Sequence, residues 1–409
     1  MLMVTAFVDM IGFALLLPLM PLYAKRFGAD AFTVGLLMAS FALAQMLAAP
    51  FWGRLSDRYG RRPMILASLT LSAVAFLIFA FADTVAMLLL CRMLQGAGGG
   101  NMSVVNAYVS DAVGPEERAK ALGWITACTS AGVMIGPAIG SLAISAGLGP
   151  ASPGLIAAGL CSLNILSAWR WLPESSSAAA RAEPRPKRRI RQQISAVLRQ
   201  PGVPAHSLVW IYAAGMMAFM AMNGILALYL AERFGINEGN IGWFYVIVGL
   251  VSVIMRALVL GLAVRRFGEV RVLRIGALLV GIGMLLGPLA TSPLQFLGAA
   301  LFIPTGTSLL FPSTTSLISR YADPREVGQT LGVQQAFGGM SRLLGPIWAG
   351  AVFQSIGPGV PFFIGGSLVL MTALFALRLH PGAAPRRSTS PVGTGPAGTG
   401  PTGPAPASE

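Results

Sequence analysis

Residues 53–62, Gly-Arg-Leu-Ser-Asp-Arg-Tyr-Gly-Arg-Arg, form a short polar segment between two long apolar stretches of the chain. Its two glycines permit tight turns and close approach of the flanking helices. Its aspartate, and the arginine four residues later, permit charge-assisted contacts. We predict that this segment is a gate at one end of a helical bundle; the alternative is a solvated basic loop that serves only orientation. The gate residues in this segment are Gly53, Asp57, Arg58, Gly60 and Arg61.

The composition excludes most classes of soluble protein. Of the 409 residues, 55% are hydrophobic and only 11% are charged, whereas an ordinary soluble domain is about one quarter charged. The mean hydropathy is +0.71. So many apolar residues are enough for many membrane spans of about 20 residues each. We therefore predict an all-helical, polytopic membrane protein and exclude a soluble enzyme, a disordered protein and a nucleic-acid binder.

Twelve apolar runs separated by charged, proline or glycine residues predict twelve transmembrane helices. They cover roughly residues 3–24, 32–53, 63–82, 85–110, 119–146, 151–172, 206–231, 239–264, 270–290, 293–320, 326–355 and 358–378.

The basic residues predict how these helices are oriented. Most Lys and Arg residues outside the spans lie in alternate loops on one side, and the other side has only Lys25, Arg26 and Arg233. Basic loops mark the cytoplasmic side, which also accounts for the net charge of +14 without nucleic acid. We predict a multi-pass protein of the inner (cytoplasmic) membrane with both termini in the cytoplasm.

The chain divides into two six-helix halves. We expect halves at 1–172 and 206–378, a cytoplasmic linker with an amphipathic helix at 173–205, and a disordered Pro/Gly-rich cytoplasmic tail at 379–409; a simple disordered tether is the alternative for the linker. A constant spacing relates six pairs of identical residues: Pro115 and Pro324, Glu117 and Glu326, Leu122 and Leu331, Gly123 and Gly332, Gly136 and Gly345, and Pro137 and Pro346. A duplicated six-span unit is typical of transporters whose halves rock about a site near the membrane midplane.

The polar segment 53–62 resembles the loop signature of the major facilitator superfamily, and with twelve spans and the repeat this resemblance covers roughly residues 1–380. It implies that Asp57 meets the start of span 11, where a helix N-terminus favours an anion. It also implies that Arg61 meets Asp111 at the cytoplasmic end of span 4. Such contacts would lock an outward-open state.

Three further stretches resemble the twelve-span drug/proton antiporters, which include tetracycline exporters. They are the first-span stretch 9–21, the fourth-span stretch 92–96 and the fifth-span stretch 132–141, where Ser141 replaces a usual glycine. The third stretch is typical of exporters, and its proline removes a backbone donor from the helix. Two roles are open for this stretch, a hinge and close helix packing. The residues assigned to it are Gly132, Gly136, Pro137 and Gly140.

Asp9 is the acidic residue that lies well inside a predicted span. A proton-coupled exporter needs one titratable group that is reached alternately from the two sides, and buried charges of this kind usually face a cavity or a partner. We predict that Asp9 carries the proton and that Arg92, inside span 4, supplies a neighbouring cation. The alternatives are an Asp9 that faces water and caps or pairs locally, and an Arg92 that only donates to nearby carbonyls.

Polar side chains within the spans are the candidates for a substrate cavity, although each is also a candidate for an interhelical hydrogen bond. They are Gln45, Gln95, Asn101, Asn106, Asn223, Tyr229, Gln334 and Gln335. No sequence motif indicates a cofactor, a metal site or a nucleophile–base pair, so we predict a non-enzymatic protein without metal or cofactor.

The function that these features favour is proton-coupled export of a small amphipathic drug or metabolite, with protons, substrate and the lipid bilayer as partners and a monomer as the functional unit. Tetracycline exporters carry further acids in spans 3 and 9, which align with Ala75 and Val280 here, so the substrate is expected to differ from tetracycline. Two alternatives stay open: a symporter or facilitator that imports a sugar or other nutrient, and a non-transporting member that serves in assembly or lipid handling.

Overall fold

The computed structural model describes residues 1–99, 102–174, 190–322 and 326–377. These residues form helices joined by short loops, and this part of the chain contains no β-strand. The first eight helices are α1 (Leu2–Leu16), α2 (Leu19–Arg26), α3 (Ala31–Tyr59), α4 (Arg61–Ala80), α5 (Val85–Gly99), α6 (Met102–Ala112), α7 (Pro115–Ser145) and α8 (Ser152–Trp171).

The second part of the chain continues the helical pattern. Its α-helices are α9 (Ile190–Arg199), α10 (Pro204–Phe234), α11 (Ile241–Ile254), α12 (Leu260–Phe267), α13 (Glu269–Leu286), α14 (Pro293–Ala300), α15 (Phe302–Tyr321), α16 (Val327–Ser355) and α17 (Val360–Ala376). A π-helical turn, Met255–Val259, joins α11 to α12, and a 3₁₀ turn, Gly287–Leu289, follows α13. The predicted tail 379–409 and residues 175–189 of the predicted linker lie outside the described residues.

The helices confirm the predicted twelve-span architecture. Within the described residues, nine helical stretches are long and apolar enough to cross a membrane. The other three spans are α5 with α6, the 29-residue α16, and the shorter apolar helix α17. The first span is broken between α1 and α2 next to Pro18, because proline cannot donate the backbone hydrogen bond that would continue the helix.

The internal repeat is visible in the packing. Gly60 separates α3 from α4, and Gly268 separates α12 from α13; both have positive φ, 103° and 79°, which glycine adopts without strain. Gly136 on α7 packs closely against the backbone of α1, and Gly345 on α16 packs in the same way against α10. Equivalent glycines therefore make equivalent helix contacts in the two halves.

We call the end of the bundle that holds Gly60 and Gly268 the basic end, and the other the opposite end. The two halves meet at the opposite end: Lys25 pairs with Glu232 at 2.9 Å, and the Gln354 side chain accepts a hydrogen bond from the Phe32 N–H and donates one to Asp30. At the basic end, the ion pairs among the described residues each lie within one half. The ion pair and side-chain hydrogen bonds that join the two halves therefore lie at the opposite end.

The helix of the linker packs on the second half. Val197 on α9 is buried, and its carbonyl accepts a hydrogen bond from the Trp210 indole at 3.3 Å. His206 contacts the carbonyl of Gln200 at 2.9 Å. The location of α9 at the membrane surface stays a prediction.

Candidate functional site

Arg61 is the centre of a charged network at the basic end. Its side chain is almost fully buried and pairs with Asp57 at 2.7 Å and with Asp111 at 3.1 Å. Its Nη1 also donates to the Ser56 hydroxyl at 2.6 Å. The structure thus brings Arg61 and Asp111 together as the sequence predicts. In the described residues, the Asp57 carboxylate pairs with Arg61, which lies in the same half. The contact between Asp57 and the start of span 11 stays a prediction for another conformation.

Glu174 completes this network, and the sequence analysis missed it. Its carboxylate accepts hydrogen bonds from the backbone N–H groups of Arg61 at 2.8 Å and Arg62 at 3.2 Å. These two donors begin α4, where the positive end of the helix dipole favours an anion. A side chain at Gly60 would lie 2.5 Å from this carboxylate, which is a second reason for glycine at that position.

The second half carries the same pair with its charges exchanged. Glu269 begins α13 after Gly268, as Arg61 begins α4 after Gly60. Its carboxylate pairs with Arg320 at 3.0 Å and accepts a hydrogen bond from Ser316 at 2.9 Å. Comparison of residue types alone hides this equivalence, because the acid and the base have changed places.

We expect Arg61→Gln to lower the free energy of unfolding by about 1–3 kcal/mol, because two charge-assisted contacts are lost and two carboxylates are left beside each other. The control is Arg58→Gln: Arg58 lies over the Tyr59 ring at 5.4 Å and is exposed. Thermal unfolding of the purified variants should show a clear fall in Tm for Arg61→Gln and little change for Arg58→Gln. Equal Tm values would mean that the network contributes nothing to the fold.

Asp9 lies on α1 and lines a cavity of about 220 Å³ in the first half. Around it are Met10, Phe13, Phe41, Gln45, Ser72, Phe76, Gln95 and Gly99. On its other side, Asp9 lines a crevice of about 10 Å³ with Thr5 and Val105. No hydrogen bond or ion pair joins its carboxylate to another described residue. The carboxylate is therefore free to exchange a proton with water or to receive a cation.

Arg92 lies on α5 behind the wall of this cavity. Its guanidinium is buried, donates to Gln95 at 3.1 Å and to the Met38 sulfur at 3.4 Å, and lies over the rings of Phe41 and Phe13 at 5.1 and 6.0 Å. Its Nε and the amide nitrogen of Gln95 have no partner in the described region. The structure thus brings Arg92 and Gln95 together, while the pairing of Arg92 with Asp9 stays a prediction.

A larger cavity of about 390 Å³ lies between the two halves. Met10, Leu17 and Met134 contribute from the first half, and helices α10, α11, α14 and α15 contribute from the second. Met10 lines this central cavity and the Asp9 cavity as well, so the two are neighbours. The volume falls within the range of about 300–1,000 Å³ that is typical of small-molecule sites.

The predicted cavity residues divide into several groups. Asn223 lines the central cavity, and Gln45 and Gln95 line the Asp9 cavity. Gln334 is buried and donates to Thr315 at 2.9 Å, as an interhelical hydrogen bond. Gln335 is exposed. Asn101 lies outside the described residues, and so does the side chain of Asn106 on α6.

Tyr229 does not line either of these two cavities. Its ring packs in an aromatic cluster with Phe296 at 5.3 Å and Phe362 at 4.8 Å. Phe296 itself lines the central cavity. Tyr229 therefore supports the wall of that cavity from behind.

The fifth-span motif makes helix contacts on two sides. Gly132, Gly136 and Gly140 on α7 lie so close to α1 that an added Cβ would be 2.6–2.8 Å from its backbone. Pro137 and Ser141 face α11, where Ser141 Oγ accepts a hydrogen bond from the Gly242 N–H at 2.8 Å. Ser141, where the antiporter pattern has glycine, thus joins the two halves. Tight packing is observed; a hinge role stays a prediction.

The sequence places two further arginines inside predicted spans, Arg256 and Arg342, without an acidic partner in the same span, and leaves both snorkelling and cavity lining open for them. Arg256 lies in the π-helical turn and lines the central cavity, with Tyr245 and Ser252 on the same helix face. The signal that could have found this site is the spacing of 245, 249, 252 and 256, which places four residues on one helical face. Ala75 and Val280, the positions of the further acids in tetracycline exporters, are both fully buried in helix packing.

Comparison with known proteins agrees with this architecture. The family model of the Major Facilitator Superfamily matches residues 2–265 and 208–407. Multidrug resistance protein 2 of Bacillus subtilis (strain 168) is 27% identical over 369 residues, which are 89% of this chain and 90% of that protein. The class C tetracycline resistance protein of Escherichia coli is 29% identical over 392 residues, which are 91% of this chain and 94% of that protein.

Solved structures share the fold. The nucleoside transporter NupG superposes with a TM-score of 0.73 at 14% identity, over 92% of this chain and 98% of that one. The human organic anion transporter MFSD10 (TETRAN) superposes with a TM-score of 0.68 at 23% identity, over 92% of this chain and 97% of that one. The family model matches along the chain, and twelve spans form two related halves around a central cavity. The protein therefore belongs to the Major Facilitator Superfamily, whose members are multi-pass membrane transporters of small molecules.

Proposed function

We propose that this protein is a proton-coupled secondary transporter that exports small amphipathic drugs or metabolites across the cytoplasmic membrane by alternating access. The observation that carries the proposal is Asp9, an ionisable side chain within the first span that lines both a cavity and a crevice and has no partner among the described residues. Ionisable groups at such a depth mark proton or substrate pathways.

The placement of the contacts between the halves supports alternating access. The halves are joined at the opposite end, where Lys25 pairs with Glu232 and Ser141 bonds to Gly242, whereas the ion pairs described at the basic end lie within single halves. If the basic end is cytoplasmic, as the distribution of Lys and Arg predicts, this conformation receives substrate from the cytoplasm. Rocking of one half against the other would then open the opposite end to the outside.

Substrate export is coupled to proton movement if protonation of Asp9 and binding of substrate exclude each other. Protons enter from outside and neutralise Asp9, the halves reorient, and substrate arriving from the cytoplasm displaces the proton. When the basic end closes later in this cycle, Asp57 would meet the start of span 11, where a helix N-terminus favours an anion. The tetracycline and multidrug resistance relatives support export rather than import.

The test uses inside-out membrane vesicles that contain the full chain, energised by respiration, with a pH-sensitive dye and a panel of amphipathic drugs. We expect at least one compound to cause proton release, and a protonophore to abolish that signal. Vesicles without the protein provide the control. Proton uptake with a nutrient, and no proton release with any drug, would contradict export and indicate that this fold imports a nutrient.

A further inference from the structure

We infer that the central cavity binds the acidic group of an amphipathic substrate at Arg256, so that the transported molecules include aromatic carboxylates and sulfonates. This inference rests on the proposed transport function and names the chemical class of its substrate.

Arg256 is the charged side chain among the described residues that line the central cavity. It is exposed into the space between the halves, and no described residue pairs with its guanidinium or accepts a hydrogen bond from it. An unpaired cation within a membrane span is costly, and an anionic ligand removes this cost by forming two parallel charge-assisted hydrogen bonds with the guanidinium. No carboxylate of a described residue lines the same cavity, so a basic ligand finds no ion pair there.

The helix is shaped locally at this residue. Met255–Val259 is a π-helical turn, in which the Leu260 N–H bonds to the carbonyl of Met255 instead of that of Arg256. A π-turn inserts one extra residue, leaves backbone groups less regularly paired and re-aims side chains, and such turns are frequent at functional sites. Here it occurs at the one turn of this helix that carries a charge facing the cavity.

The rest of the wall suits an aromatic body with one polar end. Phe219, Phe244 and Phe296 provide apolar surface, and Tyr245 and Asn223 provide polar groups on the same cavity. The Asn223 amide donates to the carbonyl of Phe219 at 2.8 Å, which fixes its orientation and leaves its oxygen as an acceptor. A ligand with two fused rings and one acidic group fits a cavity of about 390 Å³.

The test is calorimetric titration of the full chain, purified in detergent, with three compounds of the same ring system: 2-naphthoate, 2-naphthamide and 2-naphthylmethylammonium. We expect 2-naphthoate to bind at least about tenfold more tightly than the amide, because a charge-assisted contact replaces a neutral one. Arg256→Gln should remove this preference, and Arg256→Lys should retain part of it. Arg342→Gln, which changes another arginine inside a span but outside this cavity, should leave the preference intact.

The inference is overturned if 2-naphthoate binds no more tightly than the amide, if the ammonium compound binds best, if none of the three binds, or if Arg256→Gln keeps the preference. Far-ultraviolet circular dichroism of each variant excludes loss of folding, and recovery in Arg256→Lys separates a charge effect from a packing effect. Binding in detergent does not depend on proton coupling. A preference for 2-naphthoate without proton release in vesicles would therefore support this site and contradict the proposed proton coupling. Proton release with a basic drug, together with no preference for 2-naphthoate, would contradict this site alone.

Discussion

Asp9→Asn should leave the protein folded but abolish transport driven by a pH gradient, with a loss of at least about 100-fold, while exchange of substrate for substrate across the membrane continues. The amide has nearly the shape of the carboxyl group but neither takes up nor releases a proton, so substrate movement in either direction is no longer coupled to the pH gradient. The measurement is uptake into proteoliposomes, first with an imposed pH gradient and then with equal pH and substrate on both sides.

Two controls sharpen this result. Asp9→Glu keeps a titratable group and should retain gradient-driven transport in part, and Asp83→Asn changes an exposed acid in the loop before α5 and should have no effect. If Asp9→Asn lost exchange together with gradient-driven transport, Asp9 would serve structure or substrate binding and not proton transfer. If it retained both, the proton site would lie elsewhere.

Gly242→Val should disfavour closure of the opposite end and reduce transport by about 5- to 150-fold, because overpacking of about 1–3 kcal/mol is imposed on one of the two conformations. A Cβ at Gly242 would lie 2.6 Å from both the Pro137 carbonyl oxygen and the Ser141 Cβ, across the boundary between the halves. The strain is relieved when the halves separate there, so the variant should still fold.

The distance between spin labels at Lys25→Cys and Glu232→Cys, in a background without native cysteines, reports this closure, since those two side chains meet across the same end. We expect a longer distance in Gly242→Val than in the parent. Gly298→Val on α14 is the matched control, because a side chain there meets open space. An unchanged distance with normal transport would show that this contact does not govern the closed state.

The sequence predicted the helices well, because an apolar run of about 20 residues satisfies its backbone hydrogen bonds within a membrane by forming an α-helix. It also predicted the Arg61–Asp111 pair, on the strength of a resemblance. It missed Glu174, which lies far from Arg61 in the chain and at the start of the linker. No local pattern indicates that a carboxylate after span 6 will bind the first N–H groups of α4.

The candidate cavity residues show a second limit of prediction from the sequence. In a bundle of twelve helices, a polar side chain can face a cavity, a neighbouring helix or solvent, and its residue type does not distinguish these. Asn223 faces the central cavity, Gln334 bonds to Thr315, and Gln335 is exposed. The sequence could not decide the role of Arg256, because its position depends on a local π-helical turn and on the cavity between the two halves.

Infrared difference spectroscopy of the purified protein, recorded on addition of a transported compound at a pH where Asp9 is protonated, tests the central claim most directly. We expect loss of the C=O stretching band of a protonated carboxylic acid when the compound binds, and absence of that change in Asp9→Asn. The same band change in Asp9→Asn, or no change in the parent protein with bound substrate, would contradict the assignment of Asp9 as the group at which protons and substrate exclude each other.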